Sequence, residues 1–113
     1  MNIGGYVYIL SNHVRGTLYV GVTADLARRM DHHRTGHGSE FVKKYRCHSL
    51  VWFETFDDIE TAIVHEKRLK RWRRQWKFNL IERMNPEWED LSTLLHVVPG
   101  ERMWSPGSCI SHK

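Results

Sequence analysis

Two short runs dense in aromatic and β-branched residues, Tyr6–Ser11 (YVYILS) and Thr17–Thr23 (TLYVGVT), flank a stretch of turn composition at Asn12–Gly16. That is the pattern of a β-hairpin. If Ser11 pairs with Gly16, the loop holds four residues and Tyr8 faces Tyr19 directly across the ladder. Opposed residues share one face of a sheet within side-chain reach, so the hairpin presents two phenols together. The period then changes. Asp25–Gly36 reads as a helix that starts near Thr23 or Asp25 and stops at Gly36. Glu40–Tyr45 reads as a short helical turn and Ser49–Phe56 (SLVWFETF) as a third strand. Asp57 and Asp58 open a second helix that runs to about Trp72, and a third, about Arg73–Met84, ends ahead of Asn85 and Pro86. Asp90–Leu95 has room for one more helical turn. The order β-β-α-β-α-α predicts an α/β chain of the α+β type, with a small central antiparallel three-stranded sheet flanked by helices. Residues 1–95 form the domain. Residues 96–113, with Pro99, Gly100, Pro106, Gly107 and several serines, read as a flexible C-terminal tail.

Some polar residues fall where apolar ones belong. Ile59, Ala62, Ile63 and Leu69 make the apolar stripe of the second helix, and Glu66 lies within that stripe. An unpaired carboxylate costs several kcal/mol to bury, so Glu66 needs a metal ion or an arginine beside it. On the first helix Leu26 and Met30 mark the inner face, and Arg29 and His33 share it, while Arg28, Asp31 and His32 point mostly outward. One helix thus sends a guanidinium and an imidazole inward, and another a carboxylate. A buried Arg29–Glu66 ion pair joining two helices explains this as well as an active site does. So does a stripe edge that leaves all three half exposed.

Composition narrows the class. The 113 residues are 41% hydrophobic and 27% charged, enough for one globular core. The apolar runs are strand-sized, so no membrane span is expected. Met1–Gly5 has no basic region ahead of an apolar one, so no secretory leader is expected either. Cys47 and Cys109 form neither a CxxC pair nor a disulfide framework, which fits a cytoplasmic chain. The histidines at 13, 32, 33, 37, 48, 65, 96 and 112 lack ligand-like spacing, which makes a zinc protein a poor reading. The net charge of +4 is concentrated. Lys67, Arg68, Lys70, Arg71, Arg73, Arg74 and Lys77 crowd one segment with Trp72 and Trp76 among them. For Lys67, Lys70, Arg71, Arg73, Arg74 and Lys77 this points to contact with nucleic acid. The tryptophans are expected to pack into the core.

The ordered set Tyr6-Val7-Tyr8, Tyr19-Val20-Gly21, Thr23, Arg29, His33 and Glu66 resembles the signature of the GIY-YIG nuclease superfamily. Lys43-Lys44-Tyr45, Glu66 through Trp72, and Asn85-Pro86-Glu87-Trp88 are similar to its small, stand-alone, mostly bacterial members. The resemblance spans roughly Tyr6 to Leu95. It implies an α/β nuclease fold in which Tyr8 and Tyr19 match the two motif tyrosines. By the same resemblance Arg29 matches the catalytic arginine, Glu66 the metal-binding glutamate and His33 a histidine found in some members. Asn85 matches the late asparagine, with Asn79 a second candidate. Several members carry a lysine shortly after the first tyrosine, where this chain has Ser11 and Asn12.

The expected activity is a metal-dependent endonuclease using one Mg²⁺ or Mn²⁺ at Glu66. A single glutamate suffices for an ion that keeps several waters, and no second inward carboxylate is evident. Arg29 would clamp the phosphate and Tyr8 would take the proton of the attacking water, oriented by Tyr19. A phenol with a pKa near 10 is about one part in a thousand ionised at pH 7, so activity should climb towards alkaline pH. The expected partner is nucleic acid, DNA ahead of RNA, in a setting such as DNA repair, with a protein partner supplying any targeting. The competing readings are a GIY-YIG fold that binds nucleic acid without cutting it, and an adaptor domain in a larger complex.

Overall fold

The computed structural model describes residues 3–34 and 40–95. The expected tail and the helix stop at Gly36 lie outside the described residues. The sequence-predicted order is realised as β1 (Gly5–Ser11), β2 (Leu18–Thr23), α1 (Leu26–Arg34), α2 (Glu40–Tyr45), β3 (Ser49–Phe56), α3 (Ile59–Arg71) and α4 (Arg74–Met84). A short 3-10 turn follows at Leu91–Leu95. The three strands form one antiparallel sheet in the order β2-β1-β3. No helix among the described residues is long and apolar enough to cross a membrane.

The first strand is the central one, and its sequence shows why. Val7, Tyr8, Ile9 and Leu10 are all buried, a run without polar alternation, as a strand covered on both faces requires. Val7, Ile9, Val20 and Trp52 face α3 and α4, packing with Ala62, Leu69, Phe78, Ile81 and Trp88. Tyr8 and Leu10, with Leu50 and Phe53, face the other way, onto Leu26 and Met30 of α1, Val42 of α2 and Leu91. Each fully buried aliphatic side chain contributes roughly 1.5–3 kcal/mol, so the two layers share the stabilisation.

Helix ends follow local chemistry. The Thr23 hydroxyl accepts from the Asp25 amide, and the Asp25 carboxylate from the Arg28 amide, starting α1. Asp58 caps α3 by accepting from the Thr61 amide at 2.7 Å. Two extended residues, Trp72 and Arg73, separate α3 from α4.

Two features depart from the sequence reading. The hairpin register is shifted: Ser11 pairs with Leu18, Tyr8 with Gly21, and Leu10 with Tyr19. The loop is longer because it is stabilised internally. The Asn12 side chain accepts from the Thr17 amide, Gly16 donates to the His13 carbonyl, and Arg15 takes a left-handed φ of 53°. Tyr8 and Tyr19 stay on one face, as diagonal rather than directly opposed neighbours. The tryptophans are the second departure. Trp72 is 39% and Trp76 53% exposed, because Trp72 ends α3 and Trp76 lies in the first turn of α4, outside the core.

Candidate active site

Gly21 explains the position of Tyr8. A Cβ at residue 21 would come within 2.5 Å of the Tyr8 Cζ and hydroxyl oxygen, so the phenol lies across a strand position that admits no side chain. It is fully buried. Its hydroxyl is 3.4 Å from Nε2 of His33, which α1 brings onto the same face. Tyr19, half-buried on β2, closes the group, its ring centroid 6.3 Å from Tyr8 and 6.0 Å from His33. A row of aromatic rings then leads outward, from Tyr19 to Phe41 at 5.8 Å and on to Tyr45 at 4.7 Å.

The electrostatics of the pair are unequal. Burial, reinforced by Tyr19, pushes the Tyr8 hydroxyl up to about 12. Arg29 opposes this through its charge and a hydrogen bond to the phenol, and Glu66 adds to it. His33 is shifted the other way: burial first, then the charge of Arg29, lowers its pKa below the ordinary imidazole value. The shift favours the neutral imidazole, which can accept from the Tyr8 hydroxyl at Nε2 in the tautomer that carries its proton on Nδ1. Its Nδ1 is buried with no hydrogen-bond partner in the structure.

Glu66 is buried, as its place in the apolar stripe predicts. Its partner is Lys70, one turn further along α3, with Nζ 2.5 Å from the carboxylate, so the alternative of an Arg29–Glu66 ion pair is not realised. Arg29 is half-exposed at the edge of the group rather than inside the core. Among the described residues no three His, Cys, Asp or Glu side chains gather as a metal-binding group. Taken by itself, the Glu66 carboxylate would suit a hard ion that keeps most of its water better than it would suit zinc. A cavity of about 270 Å³ opens at the β2 edge between Tyr19 and Phe41 on one side and Lys70 and Lys77 on the other.

Not every candidate joins this group. Asn85 is buried, but its amide donates to the carbonyls of Val51 and Glu89 and accepts from the Glu89 amide. Val51 sits where the β1–β3 register slips between Ile9 and Leu10, so Asn85 satisfies a carbonyl beside a bulge. Asn79 is exposed and accepts from Gln75. The basic segment is divided. Lys77 donates to the Lys70 carbonyl, and both line the cavity beside Tyr19. Arg74 instead donates to the carbonyls of Arg15 and Gly16, fastening the hairpin loop to α4. Arg73 lies over the ring of Trp76, while Lys67 and Arg71 are exposed on α3. Phe41 was not singled out by sequence reasoning as part of the site, Gly21 entered only as the end of the Tyr19-Val20-Gly21 motif, and Lys70 was expected to contact nucleic acid rather than to pair with Glu66. The spacing of Lys70 four residues after Glu66 was the available signal.

Residues 4–79 match the family model described as the GIY-YIG catalytic domain. Among curated proteins, the chain is 36% identical over 84 residues to a UPF0213 protein of Bacillus pumilus, covering 74% of this chain and 85% of the relative. It is 35% identical over 82 residues to one of Haloquadratum walsbyi, covering 73% and 91%. A third, from Pediococcus pentosaceus, is 30% identical over 81 residues, covering 72% and 85%. No solved structure matches the chain.

Proposed function

The chain belongs to the GIY-YIG family, and from that premise we propose that it is a metal-dependent endonuclease that hydrolyses phosphodiester bonds of nucleic acid, DNA ahead of RNA, in the cytoplasm. The observation that carries this reading is the Tyr8–His33 pair, a buried phenol 3.4 Å from an imidazole whose pKa is lowered, with the Arg29 charge acting on the same hydroxyl.

With a pKa of about 12 the Tyr8 phenol is almost wholly protonated at pH 7, so it cannot act as a standing phenolate. It acts by passing a proton on. Tyr8 takes the proton of the attacking water as its own moves to Nε2 of His33, and Arg29 stabilises the phenolate character that develops in between. The 3.4 Å separation is long for such a bond and shortens when substrate seats, as hydrogen bonds in empty active sites commonly do. Arg29, at the edge of the group, also presents its donors to the phosphate oxygens. Tyr19 orients the water from the adjacent strand position. Glu66 would hold Mg²⁺ or Mn²⁺, which when bound supplies charge to the phosphate and the leaving oxygen. Lys70, half-exposed on a flexible stem, balances Glu66 in the meantime and swings towards the cavity to meet phosphate. Lys77 does the same from α4. Asn85 is assigned to the fold rather than to the reaction.

The same Glu66–Lys70 ion pair favours a second reading, a nucleic-acid-binding domain in which the carboxylate is permanently neutralised. Incubation with duplex, single-stranded and branched DNA, and with RNA, separates the two. Mg²⁺ or Mn²⁺ would be present, with EDTA, Glu66→Ala and Tyr8→Phe as controls. The nuclease reading expects metal-dependent cuts that disappear in both variants. Binding without cutting, or cutting that persists in Glu66→Ala, overturns it.

A further inference from the structure

The exposed tryptophans stand apart from the Tyr8 cluster. Trp72 and Trp76 meet edge to face with centroids 6.0 Å apart, each with more than a third of its surface in solvent. They border two adjoining hollows. One, of about 420 Å³, lies among Trp72, Trp76, Asn79, Leu80 and Arg83. The other, of about 280 Å³, continues from Trp72 and Leu80 past Leu69 and Arg68 to His65, Phe56 and Glu54. Trp72 and Leu80 line both, so the hollows form one groove. Val7 and Trp52 line its floor, which places the groove on the face of the sheet opposite Tyr8.

A groove with tryptophan walls and guanidinium edges has a definite ligand chemistry. The guanidinium of Arg73 lies 5.9 Å from the Trp76 ring centroid, and Arg68 and Arg83 stand at the two hollows. Three arginines against one carboxylate, Glu54, repel a second copy of this cationic surface and attract a polyanion. Indole rings add a requirement that the polyanion carry flat, unstacked rings. Bases in a duplex are already stacked on each other, whereas those of a single strand are free to stack on protein aromatics.

We propose that the Trp72–Trp76 groove binds a single-stranded segment of nucleic acid, with bases stacked on the two indoles and phosphates held by Arg68, Arg73 and Arg83. The binding stands on the groove alone. Its consequence for substrate rests on the nuclease reading: a strand held in the groove and a phosphate engaged in the cavity at the β2 edge select a nucleic acid with a single-stranded arm next to a duplex.

The test is binding of fluorescein-labelled oligo-dT to the full chain by anisotropy in EDTA, where no cleavage occurs. Blunt duplex of equal length serves as the comparison. Trp72→Ala/Trp76→Ala is expected to weaken oligo-dT binding at least about tenfold, given what one stacked base contributes. Arg68→Ala/Arg83→Ala should weaken it and flatten its salt dependence, while Arg28→Ala, exposed on α1 across the sheet, should leave it nearly unchanged. Circular dichroism confirms that the variants fold, which their exposed positions favour. Oligo-dT binding that is absent in the wild type, or equally strong in the tryptophan variant, overturns the proposal. So does a concentration-dependent mass in sedimentation that the tryptophan variant abolishes, because the groove would then be a contact between copies. Loss of cleavage in Glu66→Ala with oligo-dT binding intact keeps the groove and tests the nuclease separately.

Discussion

On one face of the sheet, Val7, Ile9, Val20 and Trp52 meet Ala62, Leu69, Phe78 and Ile81, and the buried side chains are apolar almost throughout. On the other face the same alternation delivers Tyr8 and Leu10 onto α1, and there a buried phenol and a buried imidazole share the interior with Met30, Leu26 and Phe53. Both faces are closely packed, so burial alone does not mark the site. The difference lies in what the buried atoms need. Behind the first face the buried Asn85 amide is fully engaged. The second contains a 3.4 Å Tyr8–His33 contact and a His33 nitrogen with no partner, a condition shared among the described residues by the Ser11 hydroxyl at the end of β1. Polar groups packed more loosely than their chemistry requires are a cost to stability, and such positions are where function is expected.

The largest expected effect that separates the faces is on rate. Tyr8→Phe keeps the ring and removes the hydroxyl. Metal-dependent cleavage should fall by about 10²–10⁴, the range for losing a positioned acid–base group, with the melting temperature nearly unchanged. A lowered melting temperature with full activity would make the cluster a packing device. Next comes Ile81→Ala on the apolar face, where the side chain is fully buried. It should cost about 2–5 kcal/mol in urea denaturation while the rate per folded molecule holds. Gly21→Ala couples the two outcomes, because the new methyl enters the space of Tyr8. We expect a loss of about 1–3 kcal/mol, together with reduced cleavage as the hydroxyl leaves His33.

The smallest effect is on pH dependence. The pKa of His33 is lowered in the folded chain, so between that value and the unfolded one, near 6.5, the unfolded state holds more protons. Stability is therefore complete above about pH 6.5 and declines as pH falls below it. His33→Gln should remove this acid sensitivity from thermal melts. The relay through Tyr8 gives the rate a trend of the same sign, because it needs His33 neutral to take the proton. Cleavage should climb as His33 loses its proton and be level from pH 7 to 9, and a rate still rising at pH 9 would make Tyr8 a phenolate base rather than a relay.

Most of the architecture was legible because periodicity reports directly on burial. The unbroken run Val7–Leu10 marks a strand covered on both sides, and Glu66 announced its burial by interrupting a stripe of Ile59, Ala62 and Leu69. Register was harder. It depended on Asn12 and Thr17 closing the loop through one side chain, which composition cannot weigh against a shorter turn. The tryptophans were misjudged for a related reason. Large aromatics are buried on average, but Trp72 and Trp76 sit where one helix ends and the next begins, and a helix end offers no facing layer. Within the site, Tyr8, Tyr19, Arg29, His33 and Glu66 carried family signals. The pairing of Glu66 with Lys70, and the engagement of Asn85 with the bulge at Val51, exist only once the chain is folded.

The position of β1 also dictates how the molecule assembles. It is first along the chain yet sits in the middle of the sheet, pairing with β2 through a short loop and with β3 only after α1 and α2 have intervened. Hairpins close in microseconds, while a partner as distant as Phe53 is for Tyr8 arrives after a much larger loop has formed. Between those events Val7–Leu10 presents a bare hydrogen-bonding edge and two greasy faces at once, the template on which strands of neighbouring chains add. Refolding at low protein concentration should accordingly recover more native protein than refolding at high concentration, with β3 acting as the guard that ends the exposure.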